Sequence, residues 1–200
     1  MLRATARALK FCGALGSCAA IAVCTVYITK SAAQSGKESQ PRADTVASST
    51  SASPIYGVTI PAGYRDWKLI SVNRLVTGKL NQLRAQLGND IAIKAFQEGK
   101  LPFPDGTIIA ALHWNEATSD ENNKVLANGF PGAGLQSFVA GPAVNVQFMV
   151  KDSKKYAATG GWGFADFTNG KPGNEVLHKA CFACHEPAKD RDYVFTRYAP

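Results

Sequence analysis

The segment 181–185 reads Cys-Phe-Ala-Cys-His and begins 20 residues before the end of the 200-residue chain. This pattern is typical of a c-type haem attachment site. Two thiols three positions apart lie on one helical turn, so Cys181 and Cys184 can each form a thioether with a haem vinyl group. His185 directly follows the second thiol and is then placed to bind the iron. The motif therefore predicts one covalently bound haem c, around which the chain would fold.

The other cysteines do not offer a competing framework. Cys12, Cys18 and Cys24 all lie in an apolar leader, so no further thiol follows it outside the motif. A disulfide framework and a four-cysteine metal site are thereby excluded from the rest of the chain. Two alternatives stay open: a mixed zinc site that includes His178 and His185, and a dithiol redox pair. An export leader and the histidine after the second cysteine favour haem over both.

The first 33 residues have the pattern of an export signal. Residues 1–10 carry three basic side chains and no acid, residues 11–29 are almost wholly apolar or small, and residues 31–33 offer a cleavage point. We therefore predict a signal peptide over residues 1–33 and a periplasmic protein. An uncleaved anchor in the inner membrane is the alternative, because an apolar stretch of about 19 residues is close to the minimum for a membrane span.

A short polar segment separates the leader from the rest of the chain. Residues 34–54 consist mainly of Ser, Ala, Thr, Gln and Gly, which predicts a disordered linker. Residues 55–200 suit one domain with one core. Four of the 22 basic residues lie in the leader, which holds no acid, so the remainder has a net charge of +3. No basic run with interleaved aromatic residues is present, so we expect no nucleic-acid binding.

Hydrophobic patterning predicts an α+β domain that is mainly β, with an antiparallel sheet and a few helices. A C-terminal helix carries the haem motif, and its residues Val176, Leu177, Ala180, Cys181 and Cys184 share one face. Alternation and turn signals predict strands over residues 67–72, 79–87, 106–114, 145–151 and 161–167. Capping signals predict helices over Asn89–Glu98 and Asn174–His185.

The iron has few candidates for a second protein ligand. No His, Met or Cys follows His185, so this ligand would have to come from earlier in the chain. Met149 lies in an alternating strand, where core packing is the commoner role, and His113 is predicted to make a structural hydrogen bond. His178 lies two helical turns before His185 on the same face, so we predict a surface or propionate contact for it. We therefore predict a vacant distal position.

A vacant position matters because it can bind a small molecule, whereas a six-coordinate haem mainly transfers electrons. Four aromatic residues are available for an apolar lining, and each of them could equally belong to the ordinary core. These residues are Phe103, Phe148, Trp162 and Phe164.

Several blocks of the sequence together carry a family resemblance through their order and spacing. They are residues 102–107, 146–156, 161–164, the haem motif and residues 192–198. With these blocks, the sequence resembles the cytochrome P-460 family over residues 57–200. The resemblance implies a β-rich, usually dimeric domain with one c-type haem and a proximal histidine. It implies hydroxylamine oxidation, alone or with nitric oxide, in the periplasm; the related cytochrome c′-beta proteins instead bind nitric oxide or carbon monoxide in an apolar pocket.

Two positions of the site depart from the family pattern, and one position matches it. The hydroxylamine-oxidising members join a strand lysine covalently to the haem, and Ala111 occupies that position here. Gln147 stands at the position of a pocket acid, which removes a candidate proton acceptor. Arg84 aligns with a distal arginine, although a solvated strand residue is the other interpretation. Arg197 and Lys189 are candidate partners of the haem propionates.

Three functions are compatible with these observations. The first is the capture of nitric oxide or a similar small ligand. The second is oxidation or reduction of nitrogen compounds, with an external cytochrome as electron partner. The third is simple electron transfer, which ligation by Met149 would favour.

Overall fold

The computed structural model describes residues 51–199, which lie within one compact unit. The predicted signal peptide, residues 1–33, and most of the predicted linker lie outside the described residues. The last part of that linker is packed: Ser53 is buried, accepts a hydrogen bond from the Val58 amide and donates one to the Phe164 carbonyl. Ser53, two residues before the predicted domain start, is therefore part of the packed domain.

The fold is α+β and mainly β, as predicted. Three short 3-10 helices, Tyr64–Asp66, Ala157–Thr159 and Glu186–Arg191, connect the larger elements. The helices are α1 (Asp90–Gln97), α2 (Asp120–Gly129) and α3 (Glu175–His185). The strands are β1 (Lys68–Val76), β2 (Asn81–Gly88), β3 (Ile108–Thr118), β4 (Phe138–Lys151), β5 (Trp162–Thr168) and β6 (Lys171–Pro172).

The six strands form one antiparallel sheet in chain order, from β1 to β6. Such a meander needs only short-range connections between neighbours. Two connections are longer: residues 89–107 between β2 and β3 contain α1, and residues 119–137 between β3 and β4 contain α2. Among residues 51–199, no helix combines the length and the apolar character of a membrane span.

The two faces of the sheet differ in chemistry. Residues directly opposite on neighbouring strands share a face. The row Ala110, Phe148 and Ala165 is buried, and Phe148 packs edge-on against Tyr64 with ring centroids 5.1 Å apart. This face is covered by the segment before β1. The opposite face carries both polar and apolar residues and lies beneath α3 and the C-terminal tail.

Helix α3 is fixed on the sheet by a buried histidine. It begins after Asn174, whose side chain accepts from the Leu177 amide as an N-cap. His178 has no exposed surface; its Nε2 accepts from the Asp166 amide on β5, and its Nδ1 donates to the Asn174 carbonyl. The prediction of a surface or propionate contact for His178 is therefore wrong. Its actual role is to join α3 to β5.

Most of the predicted helices and strands are confirmed. The five predicted strands and the two predicted helices are present, with ends that shift by a few residues. Helix α2 was not predicted because it is mostly polar and none of its residues is buried. Its N-cap Ser119, which accepts from the Asn122 amide, was the available signal. Strands β3 and β4 continue to Thr118 and Phe138, beyond the alternating segments.

A buried ion pair holds the C-terminal tail against the sheet. Lys151 at the end of β4 donates to both carboxylate oxygens of Asp192 at 2.7 and 2.9 Å, and the two side chains are only 6% and 8% exposed. Asp192 also accepts from the amide of Phe103, and its carbonyl accepts from the indole of Trp162. The carboxylate and the ammonium are thus fully hydrogen-bonded, as a buried pair requires.

We expect Lys151→Met to lower the free energy of unfolding by about 3–5 kcal/mol, because the change leaves the buried Asp192 carboxylate without its cation. Urea unfolding of the holoprotein measures this change. Lys68→Met is the matched control: Lys68 forms an exposed pair with Asp90 at 3.5 Å, so its loss should cost less than about 1 kcal/mol. Equal effects of the two substitutions would contradict the importance of the buried pair.

Candidate functional site

A cavity of about 320 Å³ lies between the mixed face of the sheet, helix α3 and the C-terminal tail. All three residues of the predicted haem site that could bond to the cofactor, Cys181, Cys184 and His185, line it. The tail closes one side through Val194, Phe195 and Thr196. The sheet contributes Asn73, Arg84, Gln86, Ile109, Ala111, His113, Gln147, Met149 and Phe164.

The ring of His185 is oriented by the chain that follows α3. Its Nδ1 lies 2.8 Å from the carbonyl oxygen of Tyr193. A carbonyl can only accept, so Nδ1 carries the proton and the lone pair resides on Nε2. Burial lowers the pKa of His185, and the bond to Tyr193 opposes this change. The neutral ring with a free Nε2 is the form that binds a metal.

The carbonyl of Tyr193 is itself held in an unusual backbone conformation. Asp192 and Tyr193 have φ values of 51° and 65°, in the left-handed region that few residues other than glycine adopt. The Tyr193 ring packs on Gly160, where any Cβ would collide with it. The buried Lys151–Asp192 pair stabilises this strained turn, and the turn directs the carbonyl at His185.

Aromatic rings fix the remaining freedom of His185. The centroids of Phe164 and Phe195 both lie 5.1 Å from that of the imidazole. Phe164 comes from β5, whereas Phe195 comes from the tail, so the histidine is packed between two parts of the fold. Phe164 thus lines the cavity as predicted.

The two thiols are placed for attachment rather than for redox exchange. Cys181 is partly buried, and Cys184 is exposed. Burial raises the pKa of the Cys181 thiol to about 11, and the carboxylate of Asp166 acts in the same direction. A dithiol redox pair of the thioredoxin kind requires a lowered thiol pKa, so this environment does not fit one.

The structure gives no support to a mixed zinc site either. Within residues 51–199, no group of three or more His, Cys, Asp or Glu side chains is arranged to hold a metal ion. Both ring nitrogens of His178 are occupied by the hydrogen bonds that join α3 to β5. The donors that remain at the cavity, two thiols and one free imidazole nitrogen, fit a c-type haem.

The predicted shared face of α3 is partly confirmed. Leu177, Ala180, Cys181 and Cys184 all line the cavity. Val176 does not, and it is 76% exposed.

A row of four paired residues includes three that line the cavity floor, Gln86, Ala111 and Gln147. Gln86, Ala111, Gln147 and Asp166 lie opposite one another on β2, β3, β4 and β5. Ala111, which stands at the aligned lysine position, lines the cavity and carries no functional group to react with a cofactor. The Asp166 carboxylate accepts from the Gln147 side chain at 2.8 Å. An acid therefore lies one strand away from the aligned position of the family acid.

Sequence reasoning missed Asp166, although a signal was available. It is the only charged residue in the otherwise apolar strand β5, where a charge facing the core needs a partner.

A second row places a cation beside a histidine. Asn73, Arg84, His113 and Asn145 lie opposite one another on β1 to β4. Arg84 Nε and Nη2 donate to Gln82, and no ion pair within residues 51–199 includes Arg84. Burial lowers the pKa of Arg84. A partly buried guanidinium without a counter-charge is suited to an anionic group, such as a propionate or a polar ligand.

Of the other three aromatic residues proposed for the cavity, Phe103 and Trp162 pack elsewhere, and Phe148 lies at its edge. Phe103 lines a second cavity of about 190 Å³, together with Arg197, on the far side of the tail residues Val194 and Thr196. Trp162 has no exposed surface and packs edge-on against Phe103. Phe148 borders the main cavity, but its ring is directed to the opposite face of the sheet, against Tyr64 and Phe167. Strand alternation explains this, since Gln147 and Met149 face the cavity.

Both candidates for a second iron ligand line the cavity. Met149 lies opposite Phe164, whose ring contacts His185. His113 lies at the polar end, beside Arg84. Burial, reinforced by the Arg84 cation and opposed by Asn145, lowers the pKa of His113 from 6.5 to about 4.

His113 should therefore make the protein sensitive to acid. Between pH 6.5 and about 4 the unfolded chain binds a proton at this residue and the folded chain does not. We expect the free energy of unfolding to fall by about 3 kcal/mol across this range from this residue alone. Urea unfolding of wild type and His113→Gln at pH 7 and pH 4.5 measures it: the variant should lose less stability. Equal losses in both proteins would contradict the prediction.

The chain was compared with protein families and with proteins that have a curated description. No protein with a curated description matches the chain. The family model described as Cytochrome P460 matches residues 61–196, which include the whole sheet, the tail that orients His185 and the Cys-Phe-Ala-Cys-His motif. That match spans most of the chain, and it carries haem binding as the family property. On sequence, fold and site geometry together, the chain belongs to the Cytochrome P460 family.

Proposed function

We propose that this chain is an exported mono-haem c-type cytochrome that binds nitric oxide or a similar small nitrogen ligand at a vacant axial position. The observation that carries the proposal is the hydrogen bond from His185 Nδ1 to the Tyr193 carbonyl, which leaves Nε2 free at the same cavity as Cys181 and Cys184. A bound haem supplies an iron that holds small ligands and exchanges electrons. The chain's residues supply attachment, orientation and the surroundings of the ligand.

Each of these residues has a separate task. Cys181 and Cys184 hold the porphyrin by thioether bonds, and His185 provides the proximal nitrogen. The Tyr193 carbonyl keeps the proton on Nδ1 and makes the imidazole a stronger donor. Ile109, Ala111 and Phe164 supply an apolar wall that excludes water.

Arg84 is the candidate for electrostatic control of the site. Its guanidinium has no carboxylate partner in the described part of the chain, so it is available to a propionate or to a bound ligand that develops negative charge. Arg197 and Lys189 are weaker candidates for propionate partners, since Arg197 borders the second cavity.

Two other functions each rest on a specific observation. Oxidation of hydroxylamine, with electrons passed to a partner cytochrome, is favoured by the Asp166 carboxylate, one hydrogen bond behind the cavity wall. Simple electron transfer is favoured by Met149, which lines the cavity and could ligate the iron. In all three cases we propose a periplasmic protein, either free or held by an uncleaved anchor, that forms a homodimer.

Peptide mass spectrometry tests how the cofactor is attached. We expect peptide mass spectrometry of the holoprotein to find one haem on the peptide that contains Cys181 and Cys184, and no haem on a peptide that covers residues 105–115, because Ala111 has no amine. The double substitution Cys181→Ser and Cys184→Ser should release the haem into acid–butanone after denaturation. A haem-modified peptide from residues 105–115 would contradict the absence of a cross-link.

Optical spectroscopy tests whether the iron has a vacant position that binds nitric oxide. The optical spectrum of the reduced protein should be that of a five-coordinate, high-spin haem and should change on addition of nitric oxide. Met149→Ala and His113→Ala should leave the spectrum of the reduced protein unchanged. A low-spin spectrum that does not respond to nitric oxide would contradict the proposal. If that low-spin spectrum became high-spin in Met149→Ala, Met149 would be the second iron ligand and electron transfer would be favoured.

A turnover assay separates the remaining alternative. Steady oxidation of hydroxylamine by the fully haem-loaded protein, measured with an artificial electron acceptor, would favour the oxidoreductase over a binding protein.

A further inference from the structure

Asp166 is a buried carboxylate without a cation. It is 4% exposed, and no ion pair within residues 51–199 includes it. Its Oδ2 accepts instead from two amide side chains of β4, Asn145 Nδ2 at 2.5 Å and Gln147 Nε2 at 2.8 Å. The backbone of the same residue is tied to α3, since its amide donates to His178. The carboxylate is therefore held rigidly behind the cavity wall.

This arrangement determines which end of each amide faces away from Asp166. A carboxylate can only accept, so both amides turn their nitrogen towards it and their oxygen away. Gln147 lines the cavity, and its Oε1 accepts no hydrogen bond from residues 51–199. The Asn145 Oδ1 is also turned away from Asp166, on the residue that lies directly opposite His113. A glutamine with no such neighbour could present either end to the cavity.

We propose that Asp166 is a positioning residue that sets the hydrogen-bonding polarity of the cavity, because it holds Gln147 with its carbonyl oxygen towards the ligand. The inference rests on the proposed function, in which the ligand occupies this cavity. An acceptor at that wall stabilises ligands that carry an N–H or O–H hydrogen, whereas carbon monoxide and nitric oxide have no hydrogen to offer it. Within the proposed class of small nitrogen ligands, Asp166 thereby adds a hydrogen bond for those that carry an N–H or O–H hydrogen, whereas nitric oxide relies on the iron alone.

The stretching frequency of carbon monoxide bound to the reduced holoprotein tests this role by infrared spectroscopy. A negative dipole near the ligand oxygen raises this frequency, and a hydrogen-bond donor lowers it. Gln147→Leu removes the acceptor, so the band should move to lower wavenumber. Asp166→Asn should move it further, because the new amide can donate to the Gln147 oxygen and turn the Gln147 nitrogen towards the ligand.

A double-variant comparison shows whether Asp166 acts through Gln147. In the Gln147→Leu background, Asp166→Asn should cause little further shift, since the side chain that it orients is gone. Asp190→Asn makes the same chemical change at an exposed acid and should leave the band in place. An unchanged band in folded Asp166→Asn, or the same shift in both backgrounds, would overturn the proposal. If Asp166→Asn does not fold, an unchanged band in Gln147→Leu overturns it.

Failure of the proposed function gives a different result. If the reduced wild-type protein binds no carbon monoxide, the vacant axial position is disproved. The orientation of Gln147 is then measured from the proton shift of its side-chain amide in ¹⁵N-labelled, reduced holoprotein. A proton shifted downfield by the carboxylate in wild type, and moved upfield in Asp166→Asn, supports the positioning role; identical shifts overturn it.

Discussion

The buried ion pair between Lys151 and Asp192 is the interaction on which the site depends. It joins the end of β4 to the tail beyond α3, and these residues lie 41 positions apart in the chain. Because the pair is almost fully shielded from water and all its hydrogen bonds are made, it holds the left-handed turn at Asp192 and Tyr193 in place. That turn brings the Tyr193 carbonyl to His185. The orientation of the His185 ring therefore depends on the contact between the end of β4 and the tail.

The sheet contributes the second constraint, through its register. Directly paired residues share a face, so a polar row from Asn73 to Asn145 and a mixed row from Gln86 to Asp166 cross the cavity together. A shift by one residue would replace these side chains with the apolar ones that now pack against Tyr64. The apolar packing on one face therefore specifies the polar chemistry on the other. Ala111 leaves room in that floor where the aligned family position has a lysine.

Much of the fold and the core of the site could be predicted from the sequence. Alternation and caps were sufficient for five strands and two helices, and the spacing of Cys181, Cys184 and His185 was sufficient for the haem motif. Helix α2 was not predicted because it is mostly polar and none of its residues is buried, so it lacks the apolar positions from which the other helices were identified. The error on His178 has the opposite origin: helical spacing placed it correctly relative to His185, but spacing does not reveal that β5 covers it.

The sequence by itself determined the features that depend on neighbours within a few residues: the paired thiols with their histidine, the strand periods, and the alanine where a cross-linking lysine would stand. Only the tertiary structure decided which distant side chains meet. It separated Phe103 and Arg197 from the main cavity, brought Tyr193 to His185, and placed the Asp166 carboxylate opposite Gln147. The physical reason is that local patterns reflect short-range sterics and burial, whereas strand register and tail docking depend on contacts between residues far apart in the chain.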